Sequence, residues 1–102
     1  MKIIIDFNEI NTGEKLLNLL DEKLGLTQDM PSYGNNLNAF WDVFSFSNDK
    51  DYFELTNYKN IKNEKYKEFV NDFIDLLNSL KGYEDNGKKI TPNPNFDYKI
   101  IS

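Results

Sequence analysis

Residues 31–44 read PSYGNNLNAFWDVF, and the phase of their apolar side chains decides how this part of the chain folds. Leu37, Phe40, Trp41 and Phe44 recur at i, i+3, i+4 and i+7, one face of a short helix. Asn35 is placed to cap its N-terminus. Drawn over 35–46 at about 100° per residue, the helix carries those four on one side. Asn35, Ala39, Asp42 and Phe46 point the opposite way, with Asn38 beside them. Packing accounts for the first group and not for the second. An exposed carboxylate near a helix C-terminus meets the negative end of the dipole, at a cost of about 0.3–1 kcal/mol. An outward Phe46 exposes a large apolar ring. The alternative is an ordinary solvated face, with Phe46 turned inward past the helix end.

The flanking segments set this helix in a domain. Ile3, Ile4, Ile5 and Phe7 form a short β-branched run, expected as a buried strand. Asn11 and Glu14 resemble a capping pair, and Leu16, Leu17, Leu20 and Leu24 follow at helical spacing up to Gly25. Residues 27–34, with Asp, Pro, Ser and Gly, are expected as a loop. Residues 52–56 read as a second strand. Tyr66, Phe69, Val70, Phe73, Leu77 and Leu80 make the strongest helical stripe, predicting a helix over 64–81 that stops at Gly82. Residues 82–96 hold Gly, Pro and Asn and are expected as a long loop, and 98–101 as a third strand. Helical crossovers between successive strands favour a parallel sheet. The expected fold is therefore a single α/β domain over residues 1–102, with two layers: a three-stranded parallel sheet and helices packed on one face.

Composition removes several function classes. The 102 residues carry a net charge of −5 and a pI near 4.6. A phosphate-gripping protein needs the reverse, and every basic residue here is Lys, so the bidentate Arg fork is missing. Nucleic acid is not an expected partner; a basic protein is. There is no Cys and no His, which excludes zinc thiolate sites, disulfides, thiol nucleophiles and imidazole bases. No metal, cofactor or catalytic residue is expected. The N-terminus, apolar for three residues before Asp6, does not read as a signal peptide, and no later run is long enough for a bilayer span. The expected location is the cytoplasm.

The stretch YGNNLNAFWDVF resembles the signature of the barstar family, intracellular inhibitors of the ribonuclease barnase. That signature runs Tyr-Gly, a polar residue, Asn-Leu, an acid, a small residue, an apolar residue, then Trp-Asp. Tyr33, Gly34, Asn36, Leu37, Ala39, Trp41 and Asp42 match it as they stand. The order of strands and helices matches as well, down to a C-terminal Ile-Ile-Ser. The resemblance implies a barstar-like fold and a protein that presents the helix and its preceding loop to a basic nuclease cleft. Acids there take the place of substrate phosphates. Asp42 matches the deepest of those acids. By the same resemblance the partner surface comprises Tyr33, Gly34, Asn35, Asn36, Asn38, Ala39, Trp41, Asp42, Phe46 and Asp75.

The chain departs from the family pattern at several places. Asn38 stands where barstar has a second interface acid, and Ser32 where it has a Tyr. Ser47 stands about where barstar exposes a Trp, with Phe46 beside it as a replacement. Asp75 is the best match for a further acid, with Asp72 or Glu68 as alternatives, and 82–96 looks like an insertion. These departures point to a nuclease toxin other than barnase, bound 1:1 by a chain that is monomeric when free. Two other readings stay open. One is a barstar-like adaptor for a basic non-nuclease protein. The other is a small hydrolase using Asp42 and Asp75 as a carboxylate pair.

Overall fold

The computed structural model describes residues 1–30 and 34–101. The chain runs β1 (Lys2–Asp6), α1 (Gly13–Leu24), α2 (Leu26–Asp29), α3 (Leu37–Phe44), β2 (Tyr52–Thr56), a 3-10 turn (Tyr58–Asn60), α4 (Glu64–Lys81), β3 (Tyr83–Asp85), β4 (Lys88–Ile90) and β5 (Asp97–Ile101). β1, β2 and β5 form the expected three-stranded parallel sheet, and their spatial order is β1-β2-β5. The register aligns Ile3 with Phe53 and Tyr98, and Ile5 with Leu55 and Ile100, so these side chains share one face.

The helices cover that face. Ile3, Ile5, Phe53 and Leu55 are buried together with Leu16 and Leu20 of α1, Phe40 and Phe44 of α3, and Val70, Phe73 and Leu77 of α4. The opposite face is open: Ile4 is exposed, and the Lys2 ammonium pairs with the Glu54 carboxylate. Aromatic rings fill much of the interior. Phe44 stacks on Phe40 at 5.1 Å between centroids and meets Phe53 and Phe96 edge-on at 5.8 and 5.2 Å. Such pairs add about 0.5–1.5 kcal/mol beyond the area they bury. Gly13 opens α1 close to α4, where a Cβ would stand 3.2 Å from the Phe69 ring.

Several local expectations need correction. Thr12, not Asn11, caps α1: its hydroxyl accepts from the Lys15 N–H at 3.1 Å, while the Asn11 amide oxygen accepts from the Lys15 ammonium. The expected 27–34 loop is in part helical, because α2 begins directly after Gly25, whose φ of 65° ends α1 in the left-handed region. The middle helix is shorter than 35–46 and spans Leu37–Phe44. The expected loop over 82–96 contains an antiparallel hairpin, β3 paired to β4. Asn86 and Gly87 form its turn with φ of 52° and 78°, the two positive values of a type I′ turn. Glu84 faces Lys89 and Asp85 faces Lys88 across it.

The carboxyl ends of β1 and β2 are joined through Asp6. Its carboxylate accepts from the Asn57 side-chain amide at 2.8 Å and from the Asn8 N–H at 2.9 Å. These bonds, the Asn57 bond first, hold the Asp6 carboxyl below its ordinary value of 3.8. A depressed carboxyl stabilises the fold above its unfolded value, and that contribution is lost as pH falls through the folded value. Asn57 has φ of 62°, so Asn57→Gly removes the amide without backbone strain. Urea denaturation of both proteins across pH should show a stability difference that is largest near neutrality. The difference should shrink once the pH is driven to about 2. A pH-independent difference would contradict the role given to this bond.

Candidate functional site

α3 is built so that one side is consumed by the core and the other is left over. Phe40 and Phe44 are fully buried, and Phe40 lies 6.0 Å from Phe73 of α4 between ring centroids. Leu37, Trp41 and Val43 are half-buried against the same core. Trp41 therefore serves packing with part of its surface and leaves the rest open. Ala39 is half-buried, while Asn38 and Asp42 are exposed. Among the described residues no ion pair and no side-chain hydrogen bond engages the Asp42 carboxylate or the Asn38 amide.

The start of α3 is held by its asparagines in different ways. Asn36 is the cap, with its side-chain oxygen accepting from the Ala39 N–H at 2.8 Å and its amide donating to the Gly34 carbonyl at 3.4 Å. Asn35, expected as the cap, instead sits one residue earlier at φ 49° and donates to the Asn18 side chain of α1 at 3.2 Å. Gly34 has little room, since a Cβ there would meet the Asn36 amide nitrogen at 3.2 Å. Tyr33 and Ser32 lie outside the described residues.

At the other end every carbonyl of the last turn finds a donor. Ser45 N–H reaches Trp41 O, the Ser45 hydroxyl reaches Asp42 O, Phe46 N–H reaches Val43 O, and Ser47 N–H reaches Phe44 O. The chain then turns Phe46 out into solvent, 82% exposed. It does not fold back inward past the helix end. Its ring borders a groove of about 380 Å³ lined by Leu26, Met30, Val43 and Phe46 and, on its polar part, by Asn48 and Asp49. Residues 34–49 contain Asp42 and Asp49 and no Lys. The result is an exposed aromatic ring beside a groove of mixed polar and apolar lining, on a stretch that also carries the exposed Asp42 and Asp49. It offers carboxylate acceptors and apolar contact area. Among the described residues no cluster of three or more metal-ligating side chains is present.

The acids of α4 are less sharply placed. Asp75, Asp72 and Glu68 are all exposed. At about 100° per residue, Asp75 points away from the buried stripe of Tyr66, Phe73 and Leu77. Asp72 falls on the flank of Phe69, the ring that meets Gly13 of α1. Sequence reasoning also missed residues that bear on this surface. Asn93 and Asn95 donate to the backbone at the α3 exit, and the groove beside Phe46 was not foreseen. Only the Pro-Asn-Pro-Asn run at 92–95 hinted at ordered turns there.

The family model described as Barstar (barnase inhibitor) matches residues 1–92 of the 102-residue chain, and the chain belongs to that family. The search of curated proteins returned no match. Among the described residues no helix is long and apolar enough to cross a membrane.

The division of labour among the asparagines is testable on the free protein. Asn36→Ala should lower stability in urea by about 1 kcal/mol through loss of the cap. Asn38→Ala, on the exposed turn, should change it by less than about 0.5 kcal/mol. Equal effects would contradict the assignment of the cap to Asn36.

Proposed function

We propose that this barstar-family chain inhibits a cognate ribonuclease, as an immunity protein or antitoxin, by covering the nuclease active site with the outer side of α3 and the loop before it. The observation that carries the reading is the exposed Asp42 carboxylate, which no ion pair or side-chain hydrogen bond engages among the described residues, with Phe46 exposed just beyond the end of the same helix. A ribonuclease cleft holds substrate phosphates with Arg and Lys, and those donors form short charge-assisted bonds with a carboxylate. Asp42 would take a phosphate's place there without any chemistry of its own. Trp41, Ala39, Asn38 and the Gly34–Asn36 turn supply the surrounding contacts, with Tyr33 preceding them. Phe46 covers apolar surface at the edge. Asp75 adds a further acid from α4, with Asp72 or Glu68 as its alternatives.

The net charge of −5 supports the same reading, because a basic nuclease would be steered toward the chain at long range. The inhibitor would act as a monomer in a 1:1 complex in the cytoplasm, where a nuclease does damage. Asn38 in place of an acid and Ser47 in place of an exposed Trp favour a nuclease other than barnase as the natural partner.

Titration into RNA-cleavage assays, with barnase-type ribonucleases and any nuclease encoded beside the gene, tests this directly. Wild type should inhibit one of them at a 1:1 ratio, with an association rate that falls as salt rises. Asp42→Ala should weaken inhibition by about 2 kcal/mol or more, the size of a buried charged hot spot. Barnase–barstar is itself the standard case of such a hot spot, so this magnitude is borrowed from that class of interface. Equal inhibition by wild type and Asp42→Ala would remove the mechanism.

A further inference from the structure

Asn93 is a polar side chain with 0% exposure, in a connection between β4 and β5 where chain normally runs over the surface. Its backbone N–H, side-chain oxygen and side-chain amide are each engaged. The backbone N–H donates to Leu80 O at the end of α4 at 2.9 Å, and the side-chain oxygen accepts from the Asn95 N–H at 2.9 Å. The side-chain amide donates to Phe44 O, the last carbonyl of α3, at 2.9 Å. Two residues on, the Asn95 amide donates to Ser47 O at 3.3 Å. Phe96 then closes the stretch edge-on against Phe44 and Phe53.

The held carbonyls, of Phe44 and Ser47, stand on either side of Phe46. Asn93 and Asn95 therefore grip the backbone that carries the exposed ring, one turn beyond Asp42. They also couple it to α4, because the same Asn93 residue is bonded to Leu80 O. The grip comes from residues 93–96, beyond the stretch 1–92 that the family model matches. The β3–β4 hairpin leads the chain directly into it.

We propose that Asn93 is a positioning residue for the partner-binding face, fixing the α3 exit so that Asp42 and Phe46 are presented in one geometry. The inference rests on the reading of the α3 outer side as the partner surface. A loose exit would have to be ordered on binding, and that cost would be taken from affinity. The insertion over 82–96 then has a definite role, as the carrier of a brace for the recognition helix.

Asn93→Asp tests this, since it keeps the side-chain oxygen and the volume while removing the amide donor to Phe44 O. Amide hydrogen exchange on the free protein should accelerate about tenfold or more at residues 45–47, with α1 unchanged. Dissociation from the ribonuclease that wild type inhibits should quicken by about tenfold, at temperatures well below melting. Phe7→Leu, a core change away from α3, should lower the melting temperature and leave the dissociation rate as it was. If Asn93→Asp does not fold, Asn95→Ala carries the same exchange and dissociation measurements through the bond to Ser47 O. Exchange that rises uniformly in step with lost stability, with dissociation unchanged, would make Asn93 a stabiliser only and overturn the proposal. If wild type inhibits no ribonuclease, the partner reading fails. The exchange pattern then still decides whether Asn93 fixes residues 44–47.

Discussion

Phe44 is the point at which the sheet and the segment before β5 both meet α3. Its ring stacks on Phe40, meets Phe53 of β2 and meets Phe96, while Phe40 reaches Phe73 of α4. Its carbonyl is bonded by Ser47 N–H and by the Asn93 amide. A helix as short as Leu37–Phe44 would not persist alone in water, since nucleation costs more than its few internal bonds return. It exists because burying Phe40 and Phe44 holds it to the sheet. That same burial sets its rotation. With one side seated on the core, Asp42 and Asn38 have nowhere to go but outward.

This arrangement puts a packing side and a solvent-facing side on a single helix. The buried side is apolar and aromatic and answers to packing. The outer side carries a carboxylate that gains nothing from its position near the C-terminal end of α3. Phe46 is the second such case, an apolar ring 82% exposed, on a backbone held through the carbonyls of Trp41 to Phe44 and of Ser47. Local conflicts of this kind are where a surface meant for a partner differs from one shaped only for solubility. The proposed function gives those conflicts a direction, toward the basic cleft of a ribonuclease.

Much of the frame was legible from apolar periodicity. The three parallel strands, α1 and α4 follow from β-branched runs and from stripes such as Tyr66, Val70, Phe73 and Leu77, because burial on one face imposes those periods. The phase of α3 was legible for the same reason. What escaped depended on geometry that no single residue type reveals. Asn35 and Asn36 are identical neighbours, and only their backbone angles, φ 49° against −142°, decide which one caps. The hairpin was missed because Tyr83–Asp85 and Lys88–Ile90 are short and mostly charged, with no alternation to mark strands. The Asn-Gly pair at 86–87 was its one local sign. Asn93 reads as a loop residue, and its burial arises only once α3 and α4 are packed side by side.

The central claim is that α3 occupies the space in which a ribonuclease holds phosphate. The most direct test is competition on the inhibited ribonuclease between this chain and a 3′-mononucleotide bound at the active site. The account predicts mutually exclusive binding, with the nucleotide raising the chain's apparent dissociation constant in proportion to its own saturation. A ternary complex, in which nucleotide and chain bind together without loss of affinity, would contradict it.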